Sequence, residues 1–243
     1  MNTSKANIIA QLQKEILPLQ GFKTKSTNNL QDVGLGPIKY AFPNAAFPLG
    51  AIHEFLYVSP EDAAATGGFV SGILSSLMRN KGAIIWICSS LKIFPPALTT
   101  FGVSPDKVIF VVLQKEKEVF WAMEEALKCE GLAAVIAEMT ELNFTTSRRL
   151  QLAVEQSRVT GFILRSNAHN INTTACLTRW KITSLPGELK NDMPGVGFPR
   201  WNVNLLKVRN GHPGNWHMEW ASGSFRHIPA ISLIVQEQHK KAG

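Results

Sequence analysis

The sequence predicts an α/β fold with a mainly parallel sheet flanked by helices and an antiparallel extension at its C-terminal end. The 243 residues are enough for one such domain. Between residues 51 and 165, short apolar runs typical of buried strands alternate with amphipathic helical patterns. After residue 175, apolar and polar residues alternate with a period of two, which is typical of strands with one buried face.

The predicted parallel part contains alternating strands and helices. The strands are Ala51–Tyr57, Gly82–Cys88, Val108–Val112, Leu132–Glu138 and Gly161–Arg165. The helices are Thr66–Arg79, Pro95–Phe101, Lys115–Cys129 and Thr146–Val159. Strands joined through helices imply crossover connections and therefore parallel pairing.

The antiparallel part is predicted from tryptophan-containing strands. Three stretches alternate apolar with polar residues, and they contain Trp180, Trp201 and Trp216, respectively. Asn210-Gly211 and Pro213-Gly214 supply turns, and residues 184–199 read as a surface loop. The regular alternation favours a buried face for the tryptophans, Trp220 included, over stacking on nucleic-acid bases.

The chain is predicted to divide into an N-terminal helix with a linker (1–46), a compact domain (47–229) and a tail (230–243). Residues 4–19 place apolar side chains on one helical face, which is expected to pack on its own domain or on a neighbouring subunit. Residues 20–48 are rich in Gly, Pro, Asn and Thr and predict an extended linker. Ile231–Val235 is either a docking peptide or an edge strand.

Composition limits the function classes. The net charge of +7 favours anionic partners such as nucleic acid. Cys88, Cys129 and Cys176 show no CxxC spacing, so we expect reduced thiols, no disulfide framework and no zinc site. With no signal-peptide core and no run of 18 apolar residues, we expect a cytoplasmic protein.

The connection after the first strand is where a nucleotide-binding α/β protein carries its phosphate loop. Such a loop needs glycines, a lysine for the phosphates and a hydroxyl for magnesium. Residues 58–68 contain no lysine and keep two carboxylates, Glu61 and Asp62, which would repel a triphosphate. Ala63–Gly68 is better interpreted as the start of a helix, with Asp62 as its cap.

This region resembles RecA-type proteins. Phe47–Glu54 is similar to their first strand, and Pro60 with Glu61 resembles the start of their phosphate loop. In that resemblance Ala64 replaces a glycine, Ala65 replaces the lysine, and Thr66 stands at the magnesium-binding hydroxyl.

Further along the chain, the same resemblance fails for the catalytic groups. The second strand ends at Trp86–Ser90 without the water-activating acid, and Arg165 replaces the nucleotide-sensing glutamine. Glu138 remains as a candidate magnesium-side acid. We therefore expect a RecA-like core with no nucleotide cofactor, no metal and no ATPase activity. The short segments Glu141–Thr145 and Ser166–Ala175, at the positions of RecA's DNA loops, make RecA-like filaments unexpected.

Six stretches carry a more specific resemblance: Pro60–Gly68, Phe94–Leu98, Gly102–Lys107, Trp121–Cys129, Thr146–Ala153 and Pro199–Trp201. Through them, residues 45–228 resemble the ImuA family. This resemblance implies a non-catalytic accessory protein of damage-induced (SOS), error-prone translesion synthesis. The implied partners are an ImuB-like Y-family polymerase homologue and an error-prone replicative-type polymerase; RecA, DNA and self-association stay open. The alternatives are a SulA-like inhibitor of the tubulin-like division GTPase and an ATP-dependent RecA-type recombinase.

Basic side chains are the candidate contacts to DNA or a partner: Arg148, Arg149, Arg158, Arg165, Arg179, Lys181, Arg200, Lys207 and Arg209, with Arg226 beside them. A solvated helix face is the alternative for the first two. Arg165, at the end of a central strand, is expected to pair with Glu138. His212 and His217 are interpreted as exposed turn residues.

Overall fold

The computed structural model describes residues 11–12, 32–79, 82–166, 171–187 and 197–229. The predicted helix 4–19, apart from two residues, and the tail 230–243 lie outside the described residues. No helix of the described part is long and apolar enough to cross a membrane.

The architecture is a nine-stranded sheet with helices on both faces. The strands, in chain order, are β1 Ile52–Leu56, β2 Ile84–Cys88, β3 Val108–Val112, β4 Ala134–Met139, β5 Thr160–Arg165, β6 Thr178–Leu185, β7 Arg200–Val208, β8 Gly214–Ala221 and β9 Ser224–Ile228. Their order in the sheet is β3-β2-β4-β5-β1-β6-β7-β8-β9. The pairs up to β1–β6 are parallel and the last three pairs are antiparallel. The predicted fold class is confirmed.

Three α-helices flank the sheet: α1 Pro60–Leu77, α2 Glu116–Leu127 and α3 Phe144–Ser157. Short 3-10 helices cover Gly36–Ala41, Pro43–Ala45, Pro95–Phe101 and Pro105–Lys107. One face of the sheet packs on α1 and the other on α2 and α3, so each face has its own apolar core. The tryptophans follow the predicted alternation, because Trp180, Trp201 and Trp220 are buried and Trp216 is half-buried.

The structure differs from the sequence prediction at the start of the compact region, and it contains one strand that was not predicted. The compact region begins before Phe47, because Val33, Leu35, Ile38 and Phe42 lie in the core that α1 shares. The predicted linker therefore contains buried apolar residues that its Gly and Pro content concealed. Strand β9 had no clear pattern in the sequence and is held by pairing with β8 and by the burial of Phe225.

Candidate functional site

A crevice of about 910 Å³ opens at the carboxyl ends of the parallel strands, where ligand sites of open α/β sheets lie. Its floor comes from residues at or just after the ends of β1 to β5, namely Tyr57, Ser89, Leu113, Thr140 and Ser166. The first turns of α1 form one wall, and the 3-10 helix Pro95–Phe101 forms another. This is the position at which the resemblance to RecA-type proteins predicts a phosphate loop.

The segment corresponding to that loop is helical. Helix α1 begins at Pro60, earlier than the predicted start. The cap is Ser59 and not Asp62, because the Ser59 hydroxyl accepts the amide of Asp62 at 3.1 Å. Pro60 at the first helical position and the acidic side chains of the first turn are ordinary helix-start signals. The resemblance to a phosphate loop had concealed them.

The amides that would cradle a phosphate already have partners. Pro60 has no N–H, and the amide of Ala63 donates to the Ser59 carbonyl at 3.0 Å. The amide of Asp62 donates to Ser59 Oγ. The carboxylate of Glu61 accepts its own amide and the Ser59 hydroxyl, and these bonds lower the pKa of Glu61. The first turn of α1 therefore uses its amides within the helix, whereas a phosphate loop presents them to the ligand.

The residues matched to the lysine and the hydroxyl point into the core. Ala65 is 6% exposed and Thr66 is fully buried. The Thr66 hydroxyl has no hydrogen-bond partner among the described residues, and its burial keeps it from a magnesium ion in the crevice. No group of three or more metal-ligating side chains occurs in the described part of the chain. The side chains present do not fit a magnesium–nucleotide complex.

Glu138 lies in the crevice at the end of β4, and the predicted pairing with Arg165 is wrong. Glu138 Oε1 accepts the indole N–H of Trp86 at 2.9 Å. Burial raises the pKa of Glu138, while the Trp86 hydrogen bond and the charge of Lys92 act in the opposite direction. Burial is therefore the larger effect, and Trp86 and Lys92 offset it only in part.

Arg165 instead binds Glu54, a buried carboxylate of β1. Glu54 Oε1 accepts from Arg165 Nη1 at 3.2 Å, and Oε2 accepts from Arg179 Nε at 2.7 Å. Thr174 adds a hydroxyl donor to Oε2 at 2.9 Å, and Asn172 Oδ1 accepts from Arg165 at 2.8 Å. In the sequence, Glu54 was predicted only as a residue of the first strand. A carboxylate within the fully buried run Ile52–Leu56 was the signal that a charged partner must lie opposite.

Two further cations hold the segment that precedes β6. Lys207 Nζ donates to the Thr174 carbonyl at 2.8 Å, and Arg209 donates to the Ala175 carbonyl at 3.2 Å. Burial, together with the nearby positive charge of Arg179, lowers the pKa of Lys207. Four of the predicted contact residues, counting Arg165 and Arg179, are therefore engaged with the protein itself.

Three of the remaining predicted contacts lie near carboxylates of the protein, and the side chain of Arg200 is only 11% exposed. Arg149 pairs with Glu124 at 2.6 Å, Arg148 lies 3.7 Å from Glu155, and Arg200 pairs with Glu219 at 2.8 Å. Arg158, exposed, ends α3 in the left-handed region with φ of 63°, and Lys181 is exposed on β6.

The sheet face that carries Lys181 is polar across β6 to β9. Asn202 lies opposite His217, and Asn204 lies between Lys181 and Asn215. His217 is therefore a strand residue and not part of a turn, while His212 is an exposed turn residue as predicted.

Comparison with known structures agrees with this topology. The crystal structure of the RadB recombinase superposes with a TM-score of 0.57 and 11% sequence identity, over 82% of this chain and 100% of that chain. The molecule thus has a RecA-like α/β fold, in which α1 begins at the position where the resemblance to RecA-type proteins predicts a phosphate loop.

Sequence comparison identifies the family. Protein ImuA from two strains of Caulobacter vibrioides is 31% identical over 208 residues, which are 81% of this chain and 85% of the relative. The chain therefore belongs to the ImuA family. No protein-family model matches it.

Proposed function

We propose that this protein is a non-catalytic accessory protein of error-prone translesion DNA synthesis. In this role it joins an ImuB-like Y-family polymerase homologue to an error-prone replicative-type polymerase. Membership of the ImuA family supports the pathway. The observation that carries the non-catalytic role is the start of α1, where Ser59, Pro60 and Glu61 replace the donors that a nucleotide phosphate would need.

Nucleotide binding tests the non-catalytic part. Titration calorimetry with ATP and magnesium is expected to show no binding, and Ala65→Lys is expected not to restore it. A lysine at position 65 would start from a buried position and would still face a helix whose first amides are occupied. ATP binding with micromolar affinity, or hydrolysis lost in Glu138→Ala, would instead favour the recombinase.

Co-expression tests the adaptor part. The tagged chain is expected to retain the ImuB-like protein through size-exclusion chromatography as a complex of fixed stoichiometry. Absence of that complex contradicts the adaptor role. Inhibition of polymerisation of the tubulin-like division GTPase by the purified chain would favour the SulA-like alternative.

Direct DNA binding, if present, belongs to the exposed cations. Lys181 and Arg226 lie on the polar face of the antiparallel strands, whereas Arg165 and Arg179 are buried. Contacts to phosphates lose affinity steeply with salt. Weak binding to single-stranded DNA should therefore fall in Lys181→Ala and vanish as salt is raised.

A further inference from the structure

We propose that the crevice at the carboxyl ends of β1 to β5 is a docking pocket for an apolar, basic segment of a partner protein. In this arrangement an aromatic or aliphatic side chain fills the crevice, and a neighbouring arginine or lysine pairs with Glu138. The inference rests on the proposed adaptor function and assigns a surface to it.

The size and walls of the crevice suit side chains of a protein. A volume of about 910 Å³ lies in the range of ligand-binding clefts. Its outer wall is formed by Ile93 and Phe94, which precede the 3-10 helix Pro95–Phe101, and by Ala97 and Leu98 on that helix. Phe94 is 70% exposed, although it is a large apolar side chain at the rim. An exposed aromatic rim around an apolar cleft is typical of an interaction site.

The charged side chains of the crevice leave an excess of one carboxylate. Its lining residues carry two carboxylates, Glu116 and Glu138, and one ammonium group, Lys92, whereas the whole chain has a net charge of +7. Glu116 is already engaged, because it accepts both the amide and the hydroxyl of Thr140. Glu138 has the Trp86 indole as a donor, and Lys92 is an exposed side chain at the rim.

The field of Glu138 extends across the floor. Burial raises the pKa of Tyr57 and of Cys88, and the charge of Glu138 adds to both shifts. A guanidinium or ammonium group placed at this floor would gain a partly buried carboxylate partner. A phosphate or a nucleic-acid backbone would meet like charge and no free amide at the start of α1. We therefore infer that the occupant is a basic protein segment, whose apolar side chain contacts the wall and whose cation pairs with Glu138.

Two short peptides that differ at one position, where one carries a cation and the other an anion, provide the probe. The peptides are acetyl-Gly-Phe-Arg-Gly-amide and acetyl-Gly-Phe-Glu-Gly-amide. Binding is followed by NMR through the indole N–H of Trp86, which is bonded to Glu138 and is assigned with a Trp86→Phe variant. The arginine peptide is expected to shift this signal saturably, and the glutamate peptide to bind at least about tenfold more weakly, since an ion pair of this kind accounts for such a factor.

The variants separate charge from shape. Glu138→Gln keeps an acceptor for Trp86 but removes the charge, so the two peptides should bind it alike. Phe94→Ala should weaken both peptides. Glu125→Gln is the matched control, because Glu125 pairs with Lys128 on the exposed side of α2 and should change nothing.

Four results would overturn the proposal. They are equal binding of the two peptides, no binding of either, an unchanged preference in Glu138→Gln, and shifts confined to residues outside the crevice. If the ImuB-like protein binds Phe94→Ala and Glu138→Gln as tightly as the parent chain, the crevice is not the docking surface although the adaptor role stands. If the arginine peptide binds but no complex with the ImuB-like protein forms, the adaptor role fails and the pocket stands.

Discussion

Replacing Glu54 with glutamine removes the carboxylate that lies between two buried guanidinium groups. Glu54 is fully buried, and the side chains of Arg165 and Arg179 are 7% and 10% exposed. Removing one partner of a buried ion pair costs about 3–5 kcal/mol, because the remaining charge is left without compensation. For a domain of this size each kcal/mol lowers the Tm by roughly 2–4 °C, so Glu54→Gln should melt about 10 °C below the parent.

The assay is urea denaturation and thermal melting followed by circular dichroism. Glu125→Gln is the control, because it breaks the Glu125–Lys128 pair, whose side chains are about half exposed. An exposed pair of this kind contributes less than about 1 kcal/mol. If the two variants lose similar free energies of unfolding, the two guanidiniums do not depend on Glu54 and the reasoning is refuted.

Three further outcomes follow from burial and packing. Burial lowers the pKa of His53 from 6.5 to about 3, so its neutral form stabilises the fold above pH 6.5, and this contribution falls as the pH drops towards 3. The loss is about 1.4 kcal/mol per pH unit; between pH 6.5 and 5, His53→Gln should therefore lose about 2 kcal/mol less than the parent, and equal losses would contradict this. Cys129 is exposed while Cys88 and Cys176 are buried, with the pKa of Cys176 raised to about 12, so a thiol reagent at pH 7.5 should modify one cysteine quickly and lose that phase in Cys129→Ser. A Cβ on Gly72 would lie 2.5 Å from Phe225 Cζ, whereas one on Gly67 in the same helix meets nothing within 4 Å. Gly72→Ala should thus destabilise by about 1–3 kcal/mol and Gly67→Ala should stabilise by about 0.5–1 kcal/mol in urea titrations, and the reverse order would contradict the packing of α1.

The fold could be predicted closely because its signals are local. Val108–Val112 matches the predicted strand in both bounds, and β1, β2, β4 and β5 differ from their predicted bounds by one or two residues at one or both ends. Helix α1 was the exception, since its start at Pro60 was concealed by a resemblance to a phosphate loop. The residues that resemble a phosphate loop also carry a local signal for the start of a helix, and Ser59 is the cap of that helix.

For the site, the sequence predicted only which nucleotide-binding residues are missing. The absence of a lysine at residue 65 is readable in the sequence, and the expectation that no nucleotide binds stays a prediction. Nothing local indicated that Phe94, Trp86 and Glu138 surround one crevice, because they lie on different elements that meet only at the sheet edge.

The sequence by itself determined the alternation of strands and helices, since side-chain periodicity follows from backbone geometry within a few residues. Tertiary structure alone decided the partners of the charged groups. Arg165 and Arg179 reach Glu54 across 111 and 125 positions of the chain. Such pairs depend on which strands become neighbours in the sheet, and burial then forces each charge to find an opposite one. The basic residues predicted to contact DNA or a partner therefore fall into two groups. Some belong to a buried ionic cluster, and the others lie apart from it on separate elements.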